Sequence, residues 1–146
     1  MHDALEVAQV ACERKPKDAE AWWLLGCISR YTGMPAASDA AFKRAAELSP
    51  KRPAPTRVAS TSFRAMVDQC LAELSPDARR RLGRTRVEVE PLPSLDLVRA
   101  GGSPDALTSR RRLPEDVLTL FQVNLENRAG SEARLARLIA KTLARA

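Results

Sequence analysis

Imidazole is the scarcest chemistry in this sequence: its 146 residues hold a single histidine, His2. A catalytic zinc takes three protein ligands, usually His-rich, and keeps a fourth position open, so one His cannot build such a site. Ser103, Ser109 and Ser131 have no His base in their part of the chain, which removes a Ser-His nucleophile pair. Cysteine is also sparse. Cys12, Cys27 and Cys70 are odd in number and show no CxxC spacing, so they form neither a disulfide framework nor a zinc knuckle and read as small buried apolar residues. Aromatics amount to 4% against 45% hydrophobic residues, a balance that favours close-packed helices over a β-sandwich. No apolar run approaches the ~18 residues that a membrane span needs. The opening Met-His-Asp-Ala-Leu-Glu lacks the basic-then-apolar order of a secretory signal. A cytoplasmic protein with no membrane association and no cofactor is expected.

Charge is unevenly spread. Residues 1–50 carry six Lys and Arg against seven Asp and Glu; residues 51–146 carry eighteen against eleven, within a total of +6. The change coincides with the proline-rich stretch Ser49-Pro-Lys-Arg-Pro-Ala-Pro-Thr56. Three segments are therefore expected: a helical segment over 1–52, a linker over 53–60 and a second unit over 61–146.

The front segment repeats. Pro16 and Pro50 lie 34 residues apart, and at that offset Ala11 matches Ala45 and Glu13 matches Glu47. Asp18 is placed to cap a helix over Ala19–Tyr31, Gly33 to end it, and Pro35 to open the next. Gly26 allows a partner helix to come close, and Ala37, Ala41, Ala45 and Leu48 form a small-residue seam. The run Trp22-Trp23-Leu24-Leu25-Gly26, followed by Gly33, Phe42, Ala45 and Pro50, resembles the tetratricopeptide repeat over residues 19–52, with the second helix of a preceding repeat over 2–15. Ser29 and Ser38 depart from that family's usual Tyr and Ala. The resemblance implies antiparallel helix pairs that bind proteins, and about three repeats are normally needed for stability, so a protein partner or a second copy is expected against the exposed face. Trp22, Trp23 and Tyr31 are the candidate contact residues; a Trp in this pattern also serves to fill the gap between helices, with one Trp facing the core and its neighbour the rim.

The second unit begins with Ser62 as cap to a helix over Phe63–Leu74, whose apolar residues fall at helical spacing. Ser75-Pro76 starts a short helix that Gly83 stops. Thr85–Glu90 and Val117–Val123 read as strands, residues 91–114 as a long loop with Gly101-Gly102 as a turn, and Ser131 as cap to a last helix bearing Leu135, Leu138, Ile139 and Leu143. The fold class expected is α+β, mostly α: antiparallel helices at the front, then a small unit with a two-stranded sheet. The element order, with Val87-Glu-Val-Glu90, Leu118-Thr-Leu-Phe and Asn124-Leu-Glu126, resembles the small bacterial zincin-like metallopeptidases of minimal fold over residues 61–146. Members of that family carry HExxH on the last helix, two His one turn apart gripping zinc and a Glu acting as base. Here Lys141-Thr142-Leu143, similar to the run before that motif, is followed by Ala144-Arg145-Ala146.

Asp68, Glu73, Glu115 and Asp116 are the remaining acid/base candidates, and helix faces and strand ends account for them. Two arginine clusters complete the inventory: Arg79-Arg80-Arg81 with Arg84 and Arg86, and Arg110-Arg111-Arg112. They suit a solvated basic surface first, an acidic protein partner second and nucleic acid third, since no aromatic residue is interleaved to stack bases. The expectation is a non-catalytic interaction scaffold without metal ligands. The alternatives are a metallopeptidase-family protein whose chain ends before its HExxH motif, and nucleic-acid binding through the arginines.

Overall fold

A computed structural model describes residues 2–146, and among them it contains eight helices and one three-stranded sheet. The protein is α+β and mostly helical. It divides into two compact units, Met1–Pro55 and Thr56–Ala146.

The first unit is three helices: α1 (His2–Arg14), α2 (Ala19–Tyr31) and α3 (Pro35–Leu48). Asp18 caps α2 by accepting from the Glu20 amide at 3.0 Å, satisfying one of the amides a helix start leaves unpaired. Gly33, at φ 75°, supplies the left-handed residue that turns the chain toward Pro35 at the start of α3. Helices α2 and α3 interlock at one point. A β-carbon on Gly26 would lie 2.6 Å from two atoms of the Phe42 ring, so the missing side chain is what lets the ring in. Ser38, fully buried, donates its hydroxyl to the Gly26 carbonyl at 2.6 Å and ties the helices together at the same level. The buried side of α3 is Ser38, Ala41, Phe42 and Ala45. Ala37, expected in that seam, is exposed, because Ser38 takes the inward position one residue later.

The second unit holds α4 (Ser60–Ala72), α5 (Pro76–Leu82), β1 (Arg86–Glu90), α6 (Leu95–Arg99), β2 (Thr108–Arg111), β3 (Val117–Phe121), α7 (Gln122–Ala129) and α8 (Glu132–Ala144). The sheet order is β1-β3-β2, with β3 parallel to β1 and antiparallel to β2. Leu118 and Leu120 of β3 and Val87 of β1 join Phe63 and Val67 of α4, Leu125 of α7, and Leu135, Ile139 and Leu143 of α8 in one core. These α8 residues recur every four positions and all are fully buried, so α8 buries one stripe against the core. Ser75 and Ser131 cap α5 and α8 as their positions require, accepting from the amides of Ala78 and Arg134 at 3.2 Å each.

Three expectations are corrected. The sheet has three strands rather than two, because β2, like the short helix α6 capped by Ser94, lies within the stretch 91–114 read as a loop; Thr-Ser-Arg-Arg has no apolar alternation to betray a strand. The strand from Val117 stops at Phe121, and Val123 belongs to α7. Helix α4 starts at Ser60 after Ala59, without a side-chain cap, so Ser62 lies inside it.

The unit boundary falls within the proline-rich stretch, and the residues just past it are anchored. The Val58 amide donates to the Glu126 carboxylate at 2.8 Å, and the Thr56 amide donates to the Glu126 carbonyl at 3.4 Å. Arg57 reaches the Glu126 carboxylate at 3.4 Å and the Asn127 side-chain oxygen at 2.7 Å. Glu126 is 2% exposed, so α7 carries a buried carboxylate matched by a guanidinium and a backbone amide. Asn124, also buried, donates to the carbonyls of Pro104 and Ala106 at 2.9 and 2.8 Å and pins the segment leading to β2.

Candidate functional site

The aromatic candidates of the first unit are largely spent on its own packing. Trp22 is half-buried and donates its indole N–H to the Pro16 carbonyl at 2.9 Å. Trp23 packs its ring against Phe42, centroids 4.7 Å apart at 56°. The Arg52 guanidinium lies 4.1 Å from the centre of the Trp23 ring while its Nη2 reaches the two Glu20 carboxylate oxygens at 2.8 and 3.0 Å. The cation therefore covers the indole face and is held there by the carboxylate, an arrangement worth about 0.5–1 kcal/mol at an exposed site. Tyr31, half-buried, ends α2. What this unit leaves open is a groove of about 540 Å³ between α1 and α2, lined by Val7, Val10, Ala11 and Ala21 and rimmed by Glu6, Arg14, Lys15 and Asp18. Val7 on its wall is 68% exposed.

The arginine clusters come apart on inspection of their partners. Arg79 donates to the Ala72 carbonyl at 3.0 Å at the end of α4, and Arg81 to the Ala144 carbonyl at 2.6 Å at the end of α8. Both close carbonyls that a helix C-terminus leaves unpaired. Arg80 pairs with Asp77 one turn away, and Arg86 with Glu88 at 2.9 Å and Glu115 at 3.4 Å. Arg110 grips Asp116 with two bonds of 2.9 Å and reaches the Thr85 hydroxyl at 2.9 Å. Hydrogen bonding from Arg110 is the main reason the Asp116 carboxyl is held down at about 2; partial desolvation opposes it, and the Thr85 hydroxyl with the charges of Arg110 and Arg112 adds to it. Arg112 shares Asp116 at 3.9 Å. Of the residues expected to form a basic surface, Arg84 and Arg111 are exposed and make no ion pair among the described residues.

The carboxylates weighed as acid/base candidates do not converge. Asp68 pairs with Arg64 at 3.2 Å, Glu73 accepts from Gln69, and Glu115 and Asp116 face different arginines. Ser103 bonds Asp105 and Ser131 caps α8. Among the described residues no group of three or more His, Cys, Asp and Glu side chains could hold a metal ion, and no helix is long and apolar enough to cross a membrane. Cys12 and Cys70 are buried as expected, and burial raises both thiols, the charges of Asp18 and Glu73 respectively adding to it. Cys27 is half-buried.

The second unit has a groove of about 570 Å³ between α4 and α8, lined by Met66, Cys70, Ala136 and Arg137, and two further concave surfaces. The sheet face away from the core lines a groove of about 690 Å³, with Glu88 and Glu90 on one side, Ser109 and Arg111 on the other and Val117, Thr119 and Phe121 between them. The second is a cleft of about 530 Å³ bordered by β2, α7 and α8. Arg110, Arg112, Arg128, Lys141 and Arg145 line it. The sequence reading missed Arg128, Lys141 and Arg145, because they are scattered singly over two helices and only folding brings them beside Arg110 and Arg112. No protein family, curated protein or solved structure matches the chain.

Proposed function

We propose that this protein is a non-catalytic interaction scaffold: a helical unit of tetratricopeptide type joined to a unit like the minimal zincins but without their metal ligands. The observation that carries the reading is the groove between α1 and α2, where Val7 stands 68% exposed on an apolar wall while α2 and α3 are interlocked through Gly26, Phe42 and Ser38. A rigid helix pair with an open apolar groove beside it has the form of a helix-in-groove docking surface. Lys15 on the rim and Lys17 close by supply amines for cross-linking in cells. Cross-links from these lysines to one protein partner or to a second copy are expected to disappear with Val7→Asp. Cross-links unchanged by Val7→Asp remove the reading, and one tightly held zinc per chain with peptide hydrolysis removes its non-catalytic half.

A second reading is that of a metallopeptidase-family protein whose HExxH motif lies beyond residue 146. It is favoured by α8, which lays Leu135, Ile139 and Leu143 into the core and carries Lys141-Thr142-Leu143 in its last turn. Translating the genomic sequence past Ala146 tests it, since the motif must follow in frame or in a shifted frame.

A further inference from the structure

We infer that the cleft between β2, α7 and α8 is a binding site for a small ligand carrying two or more phosphoryl groups. The inference stands apart from the scaffold reading and uses different residues.

The first argument is charge. Five cationic side chains line one cleft of about 530 Å³: Arg110 in β2, Arg112 just after it, Arg128 near the end of α7, Lys141 in the last turn of α8 and Arg145 just past its end. Asp116 is the one carboxylate that pairs with any of them among the described residues, and it serves Arg110 and Arg112 together. Arg128, Lys141 and Arg145 make no ion pair among the described residues; the same holds for Arg84, Arg111, Arg134 and Arg137 of this unit, and what sets the three apart is that they share one cleft. Like charges gathered in a cleft destabilise the fold through mutual repulsion and focus a positive potential at its mouth. An arrangement that tolerates this cost is one that an anion relieves.

The second argument selects the anion. With Asp116 set against Arg110, about four positive charges face the cleft. A single carboxylate offsets one of them, whereas a phosphate monoester brings about −1.5 to −2 and three strong acceptor oxygens. Two phosphoryl groups therefore match the cleft, and one does not. Guanidinium groups bind phosphate through paired N–H donors, and Thr108 stands in the same lining; the Thr142 hydroxyl is already given to the Leu138 carbonyl at 2.7 Å. The third argument concerns size and floor. Leu107, Leu118 and Leu138 supply an apolar base, and the volume lies in the range that holds small molecules. No aromatic residue lines the cleft, so it lacks the stacking platform of a single-strand nucleic-acid groove.

Inorganic tripolyphosphate titrated calorimetrically into the full chain tests the site. Saturable one-to-one binding is expected. Arg128 and Lys141 are exposed, so Arg128→Glu and Lys141→Glu leave the core intact, and each is expected to weaken binding by about tenfold or more, as loss and reversal of a charge-assisted contact require. Arg137→Glu changes the net charge equally but lies on the wall facing α4, and is expected to stay within about twofold of the parent. Equal loss in all three variants overturns the site, since net charge alone then governs affinity. Absence of saturable binding overturns it too. So does a duplex oligonucleotide that binds more tightly than tripolyphosphate and gains affinity with length, which would make the surface a nucleic-acid interface.

Discussion

Replacing Gly26 by alanine sets two effects of similar size against each other, and the structure decides which wins. In the interior of α2 the exchange gains about 0.5–1 kcal/mol, because glycine loses more backbone entropy than alanine on entering a helix. Against this, the new methyl would sit 2.6 Å from two atoms of the Phe42 ring and 3.0 Å from a third. Phe42 is 1% exposed and has Trp23 on its flank at 4.7 Å, so the ring has little room to withdraw. Overpacking of this kind costs about 1–3 kcal/mol. The Ser38 hydroxyl bond to the Gly26 carbonyl, 2.6 Å long, must lengthen if the helices part, and a buried hydrogen bond contributes about 1 kcal/mol. The net expectation is a loss of about 1–2 kcal/mol, which for so small a unit lowers its thermal midpoint by about 5 °C or more. The measurement is clean because Trp22 and Trp23 are the only tryptophans, so indole emission reports the first unit alone. A double-mutant cycle isolates the clash: with Phe42→Leu in place, Gly26→Ala should become neutral or stabilising. If Gly26→Ala raises the midpoint in the parent chain, the close approach of the helices is wrong, and with it the interlock on which the scaffold reading depends.

Three further outcomes are expected. Arg57→Ala leaves the Glu126 carboxylate buried without its cation and should destabilise the second unit by about 2–3 kcal/mol, read as faster hydrogen exchange across residues 122–129. The Asp116 carboxyl, held at about 2 in the fold, contributes stability that is present above the unfolded carboxylate value and is lost as the pH falls through about 2. The difference in thermal midpoint between the parent and Asp116→Asn, followed by circular dichroism, should therefore shrink between about pH 4 and pH 2, and a difference that grows there contradicts the Arg110 pairing. Burial raises Cys12 and Cys70 above the ordinary thiol value, so both should resist iodoacetamide at pH 8 in the native protein and react once denaturant is added; rapid native labelling of either shows that its helix packing is misjudged.

The elements that the sequence discloses are those whose local signals agree with their packing. Asp18, Ser75 and Ser131 sit at helix starts and cap them, Gly33 and Gly83 take positive φ at helix ends, and the Leu135, Ile139, Leu143 stripe faces the core. Where local signals and packing disagree, reading fails. Helix α7 buries Asn124, Glu126 and Asn127 among its apolar residues, so its inward face has no hydrophobic period to detect, and Phe121 before it offers no side-chain cap. Those polar residues are inside because their partners come from far along the chain: Arg57 and Val58 for Glu126, and the Pro104 and Ala106 carbonyls for Asn124. Strand β2 has the same cause. Thr108–Arg111 is at the edge of the sheet with three of its four side chains half-exposed and the fourth open, so neither face needs to be apolar. Charged residues on an edge strand also discourage pairing with another sheet, which accounts for arginines where a buried strand would carry valines.

The arginines carry the same lesson to the level of function. As strings, Arg79-Arg80-Arg81 and Arg110-Arg111-Arg112 are equally dense in positive charge, yet the members of the first close two helix ends and one ion pair, and each guanidinium so engaged is less available to a partner. Arg128, Lys141 and Arg145 form no string, since each is separated from the next by several residues, and they share one cleft without an acidic partner among the described residues. Density along the sequence measures how many charges a segment can offer. Whether a charge is offered depends on the carbonyls and carboxylates that folding brings to it. A guanidinium already satisfied by a helix end must break that bond before it can hold a ligand, whereas one in an unpaired cluster lowers its own repulsion by binding. Electrostatic function in this protein should therefore follow the unsatisfied cluster, and charge reversal at Arg79 or Arg81 should register first as lost stability and only second as lost binding.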